Sequence, residues 1–149
     1  MPDNDEQALD HAIRAALDAQ DFLYHMGARV DTVTRGQVVM SVARRTELLQ
    51  QHGFFHGGVV AFLVDNATTA AAGTVIDRAT QTCLTAEYKL NIVAPALGDR
   101  LVCTATVVKS GRRLTIVEAK VHSHSGDKTK LVAVALATSA NIERTDLAA

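Results

Sequence analysis

Tryptophan is absent from this sequence, and four phenylalanines and two tyrosines are its only large aromatic residues. So few flat side chains leave little for nucleic-acid bases to stack on. Fifteen Lys and Arg against sixteen Asp and Glu leave a net charge of -1, so no global field holds nucleic acid or an anionic membrane. An anionic ligand must therefore be met by a local patch. Cys83 and Cys103 are the only cysteines, each inside an apolar, strand-like stretch with no C-x-x-C or Cys/His metal spacing. They read as buried free thiols in a reducing compartment. No apolar run approaches the roughly 20 residues that cross a bilayer, and the opening Met-Pro-Asp-Asn-Asp-Glu lacks the basic and apolar regions of a signal peptide. The expectation is a cytoplasmic protein without a membrane partner. There is no G-x-S-x-G elbow, which excludes the usual α/β-hydrolase, and the histidines form no H-E-x-x-H or other zinc pattern. Neither a metal nor a resident cofactor is expected.

What is present is an ordinary globular composition, 48% hydrophobic and 21% charged with two prolines, in 149 residues. That length buries a proper core as a single domain, 1–149, read as a helical lead-in over 1–27 and a core over 28–142. Ala8, Leu9, Ala12, Ile13, Ala16 and Leu17 recur at helical spacing, which predicts an amphipathic leading helix over 4–20. From Ala28 to Val42 the period is two, and Arg35-Gly36 supplies a turn between two strands. After Gly58 a proline-free Ala, Val and Leu-rich segment running to about Ile76 predicts one long helix, apolar on most of its circumference and so buried. Then come strands at Thr82 to Val93, Arg100 to Val108, Arg113 to His122 and Lys130 to Ala140, spaced by turns and read as an antiparallel meander. Valine and alanine on both faces of the last strand suggest cover by the helix on one side and by another subunit on the other. The fold class is α+β, a curved antiparallel sheet wrapped around one long central helix: the hot-dog arrangement.

The chemistry concentrates in Gln50-Gln51-His52-Gly53-Phe54-Phe55-His56-Gly57-Gly58, followed by helix and an acid at Asp65. Glycine at a helix start lets a ligand approach free N–H groups at the positive end of the helix dipole, so Gly57 is the best oxyanion donor. Asp65 stands among Leu63, Val64 and Ala67, where a carboxylate costs several kcal/mol of desolvation unless paired or used. Two readings stay open: a helix acid bonded to Thr68 or Thr69, or a catalytic carboxylate. Phe54 and Phe55 either line an acyl pocket or staple the chain onto the helix.

The segment resembles the signature of the PaaI-type acyl-coenzyme A thioesterases, in which His-Gly-Gly opens the central helix and an acid follows nine positions after the histidine. Here those are His56 and Asp65. The resemblance continues through Thr85-Ala86-Glu87-Tyr88-Lys89-Leu90-Asn91 and the Pro95 to Asp99 and Lys109 to Arg113 turns, covering roughly residues 28 to 142. It implies that Asp65 is nucleophile or general base, Gly57 the oxyanion donor, Gln50 and His56 polar supports, and Thr69 and Thr85 residues that orient the carboxylate or the attacking water. Many members carry asparagine where this chain has Gln50, and others glutamate in place of Asp65. Gly58 and Asn91 are expected on the substrate side. Lys89, Lys109, Arg112 and Arg113 form a basic group for coenzyme A phosphates, unless the arginines merely solubilise a hairpin tip. His122, His124 and Asp127 read as surface residues.

Eight residues separate Gly57 from Asp65, about 12 Å along a helix. Both touch one carbonyl only if a second subunit supplies the other, which makes a two-fold homodimer part of the mechanism. Relatives commonly pair two such dimers into tetramers. The competing readings are a non-catalytic acyl-coenzyme A binding module and a hot-dog hydratase or dehydratase.

Overall fold

The computed structural model describes residues 4–148; Met1–Asp3, part of the acidic opening discussed above, and Ala149 lie outside the described residues. Helices α1 (Asn4–Asp18) and α2 (Asp21–Met26) lead into strands β1 (Ala28–Thr34) and β2 (Gln37–Ala43). Helix α3 (Gly57–Gly73) follows, and then β3 (Gln81–Ile92), β4 (Arg100–Ser110), β5 (Leu114–Ser125) and β6 (Lys128–Glu143). This is the hot-dog arrangement, one curved antiparallel sheet holding one long helix. Gly36, with φ of 82°, makes the β1–β2 turn where Arg35-Gly36 was expected, a conformation a Cβ would oppose.

Two expectations need correction. The leading helix stops at Asp18 and restarts as the separate α2, whose buried Leu23 pins a turn that α1 alone cannot make. The four late strands are also not a single meander. The sheet order is β1-β2-β4-β5-β6-β3, so β3 pairs with β6 at the far edge and β4 pairs with β2. Three strand spacings of about 4.8 Å separate β3 from β4. The seven residues 93–99 reach that far at about 3.3 Å each, so a short link need not join neighbours.

The core fills the space between α3 and the inner sheet face. Val60, Leu63, Val64 and Ala67 of α3 meet Met40, Leu101, Val117 and Val121 of the strands, all essentially without solvent exposure. Alanines 67, 71 and 72 bury completely and let the sheet come close to the helix axis. From the other side α1 lays Ile13 and Leu17 onto the end of α3. It is held there by Arg14, which pairs with Asp10 at 2.9 Å and donates to the Val30 carbonyl. Leu84, Leu114 and Leu136 are about half exposed, and they alternate with the inward positions of their strands, which places them on the outer sheet face.

Ser139, on β6 opposite Thr85, is 1% exposed, and its hydroxyl has no hydrogen-bond partner among the described residues. A buried unpaired hydroxyl costs about 1–3 kcal/mol. Ser139→Ala is therefore expected to leave the melting temperature unchanged or raise it by about 2–4 °C per kcal/mol recovered. A clear drop in a thermal melt would mean that the hydroxyl has a bound partner.

Candidate active site

Helix α3 begins where the sequence motif says it should, and the local chemistry explains why. His56 is the N-cap, extended at φ -60° and ψ 139°, and its Nδ1 accepts from the Gly58 N–H at 2.9 Å. The His56 N–H in turn donates to the Leu48 carbonyl at 2.8 Å, fixing the loop that precedes the helix. Gly58 is thus partly committed to the cap. A Cβ on Gly57 would sit 3.4 Å from Ile92 Cδ1, so the helix start lies against the end of β3. Phe55 precedes the cap, is 3% exposed and shares the core with Val60 four residues into the helix, the hydrophobic-staple placement rather than a pocket wall. Phe54 is half-buried beside His52, and neither phenylalanine lines the cleft at Asp65. Gln50 turns its side-chain oxygen to the His52 N–H.

Asp65 lies two turns further along, about 12 Å from Gly57. Its Oδ1 accepts from Thr85 Oγ1 at 2.6 Å, and Thr85 Oγ1 lies 2.7 Å from Thr69 Oγ1. A hydroxyl has one proton, so Thr85, having donated to the carboxylate, accepts from Thr69. The result is a relay Thr69 to Thr85 to Asp65 that holds one carboxylate oxygen and leaves the other for chemistry. Thr68, one of the two local partners considered for Asp65, instead donates back to the Val64 carbonyl at 2.7 Å. The second, Thr69, reaches the carboxylate only through Thr85.

The relay opens into a cleft of about 370 Å³. The α1 residues Ile13, Ala16 and Leu17 form one wall, and Cys83 on β3 and Arg78 on the loop after α3 complete it. Sequence reasoning did not place α1 or Arg78 here, because nothing local marks a loop arginine or a leading helix as a wall. Burial pushes the Cys83 thiol up to about 11, which keeps it protonated at neutral pH and makes it a poor nucleophile. Asp65 is the carboxylate that lines the cleft.

The expected basic group does not assemble within one chain. The Arg113 carbonyl accepts from the Asn141 N–H, whereas Lys89 pairs with Leu136. Five residues along β6 separate these positions by about 17 Å. Asn91 lies further still, opposite Val134. His122 and His124 are half-buried rather than fully on the surface; desolvation, Arg100 and His122 lower the His124 pKa. Among the described residues no group of three or more His, Cys, Asp or Glu side chains is placed to hold a metal ion, and no helix is long and apolar enough to cross a membrane.

Comparison with known proteins places this geometry among relatives. The model of the thioesterase superfamily matches residues 52–130, which include all of α3 and β3. A thioesterase family protein from Silicibacter pomeroyi is 32% identical with a TM-score of 0.87, over 91% of this chain and 98% of that one. The PaaI protein from the phenylacetic acid degradation operon of E. coli shares the fold at 19% identity and a TM-score of 0.81, over 92% of this chain and 95% of its own. The Bacillus subtilis (strain 168) protein named "Putative esterase ComA2" is 29% identical over 114 residues, 76% of this chain and 86% of that protein.

Proposed function

The chain belongs to the thioesterase superfamily and is a thioester hydrolase, and from that premise we propose that it cleaves an acyl-coenzyme A thioester. The observation that carries the reading is the Thr69–Thr85–Asp65 relay facing a cleft of acyl size. Water adds to the thioester carbonyl carbon and the carbon–sulfur bond breaks. The thiolate leaves as coenzyme A and the free acid remains. The Asp65 carboxylate takes the proton of that water, or attacks first and is freed when water cleaves the anhydride. A thioester is already activated, so the route needs no resident metal or cofactor. The Gly57 N–H stabilises the oxyanion from the partner subunit. His56 shapes that donor as N-cap, Gln50 supports the loop behind it, and Gly58, Phe54, Lys89, Asn91, Arg112 and Arg113 are assigned to the substrate and its phosphates.

The dimer in this reading is a homodimer paired through β3. That strand is an edge, twelve residues long, with Tyr88 and Ile92 exposed, which is a ready surface for another strand. Thr85 marks Asp65 and Ile92 marks Gly57. An antiparallel pairing with its two-fold axis between Tyr88 and Lys89 sets Thr85 opposite the partner's Ile92. Asp65 then faces the partner's Gly57 twice per dimer. The outer-face leucines suit a second pairing into a dimer of dimers in the cytoplasm.

Thiol release from acetyl, hexanoyl, decanoyl, benzoyl and phenylacetyl coenzyme A is the direct test. Release from at least one substrate is expected, and a folded dimer that releases none would instead be an acyl-coenzyme A binding module. Within an active enzyme, Thr85→Val removes a hydrogen bond to a charged group worth about 1.5–3 kcal/mol. A loss of about ten- to a hundredfold in kcat/KM is expected, with substantial recovery in Thr85→Ser. Equal activity in Thr85→Val would remove the relay from the mechanism.

A further inference from the structure

The cleft at Asp65 also holds an arginine, Arg78, that has no acidic partner among the described residues. Arg78 lines the same cleft as Asp65, together with the apolar Ile13, Ala16, Leu17 and Ala70 and the polar Gln20 and Asn66. Its Nη1 and Nη2 reach only backbone carbonyls, Gly73 at 3.5 Å and Ala12 at 3.3 Å. A guanidinium has five N–H donors, so three remain for a ligand. Among the described residues the one ion pair is Arg14 with Asp10, which leaves Arg78 without a carboxylate. Arg144 adds a second positive charge nearby, donating to the Arg78 carbonyl at 3.0 Å. Desolvation and Arg144 both act against the Arg78 cation, so an incoming anion would relieve an unfavourable arrangement.

Position sets the shape of the ligand. Gly73, whose carbonyl Arg78 touches, lies eight residues beyond Asp65 on α3, about 12 Å along the helix. The cleft therefore offers the Asp65 carboxylate and, about 12 Å along α3, a cation, within a lining that mixes apolar and uncharged polar side chains.

Resting on the thioesterase reading, we propose that the acyl group this site takes carries a carboxylate at its far end: the substrate is the coenzyme A monothioester of a medium-length dicarboxylic acid, and Arg78 binds its free carboxylate. Arg78 is then a specificity residue, remote from the reacting carbon, and the product is the free dicarboxylic acid.

The test compares suberoyl with octanoyl coenzyme A, matched in length and differing in the terminal carboxylate. The wild-type enzyme is expected to favour the suberoyl thioester by about tenfold or more in kcat/KM, through a charge-assisted pairing in a partly dry site. In Arg78→Met the ratio of suberoyl to octanoyl kcat/KM should fall by about tenfold or more, and Arg78→Lys should restore part of it. A wild-type preference for octanoyl, or a ratio that Arg78→Met leaves unchanged, overturns the proposal and leaves the thioesterase reading standing. Calorimetric binding of suberate to wild type and Arg78→Met supplies a readout without turnover. Suberate binding that weakens by about tenfold or more in Arg78→Met supports the anion site even if neither thioester is hydrolysed, whereas binding that Arg78→Met leaves unchanged overturns it.

Discussion

Asp65→Asn is expected to cut thiol release by about a thousandfold or more while leaving the protein folded and its oligomeric state unchanged. Asparagine keeps the shape of the side chain, and its carbonyl oxygen can still accept from Thr85, so the hydrogen bond seen at 2.6 Å survives. What it loses is negative charge, and with it the ability to take a proton from water or attack a carbonyl. Asp65→Ala removes the acceptor as well and leaves Thr85 and Thr69 to pair with each other. The two variants should be similarly inactive, because the charge rather than the contact carries the chemistry. Stability should barely distinguish them either: the residue is only half-buried, so neither change should lower the melting temperature by more than a few degrees. Turnover by folded Asp65→Asn within about tenfold of wild type would remove Asp65 from both the nucleophile and the general-base roles.

How much of this was legible in the chain depends on how local the determining interactions are. The start of α3 was readable because His56, Gly57 and Gly58 settle it among themselves: the imidazole caps the very N–H that lies two residues on. The inward face of each strand was readable from alternation. Which strand lies beside which was not, because period two says where a side chain points and nothing about its neighbour. That is how β3 came to be read beside β4 when it pairs with β6. The partner of Asp65 shows the same limit. Local spacing offers Thr68 and Thr69, but the helix turns Thr68 back onto its own carbonyls, and the carboxylate bonds to Thr85 across the helix–strand contact. Only the family resemblance named Thr85. Arg78 had no signal at all, since its role depends on α1 folding back to close the cleft, a contact between residues 66 positions apart.

Mixed dimers test the shared site without reference to any particular acyl group. Gly57→Val places a branched side chain at the helix start, where even a Cβ already meets Ile92 at 3.4 Å, and it should block the approach of a thioester oxygen to the N–H. Alone, this variant and Asp65→Ala are each expected to be inactive. In a heterodimer of the two, one site carries both lesions and the other carries neither, because the intact Asp65 comes from one chain and the intact Gly57 from the other. Random reassociation of equal amounts makes about half of all dimers mixed, each with one working site of two. Activity should then recover to about a quarter of the wild-type value. A site built within one chain predicts no recovery, since every chain bears a lesion. The control is a tagged pull-down that shows mixed dimers have formed; with that in hand, absence of rescue means Asp65 and Gly57 do not act across the interface. The β3 pairing adds its own constraint, because weakening that edge should lower activity and dimer content together, with dilution restoring neither.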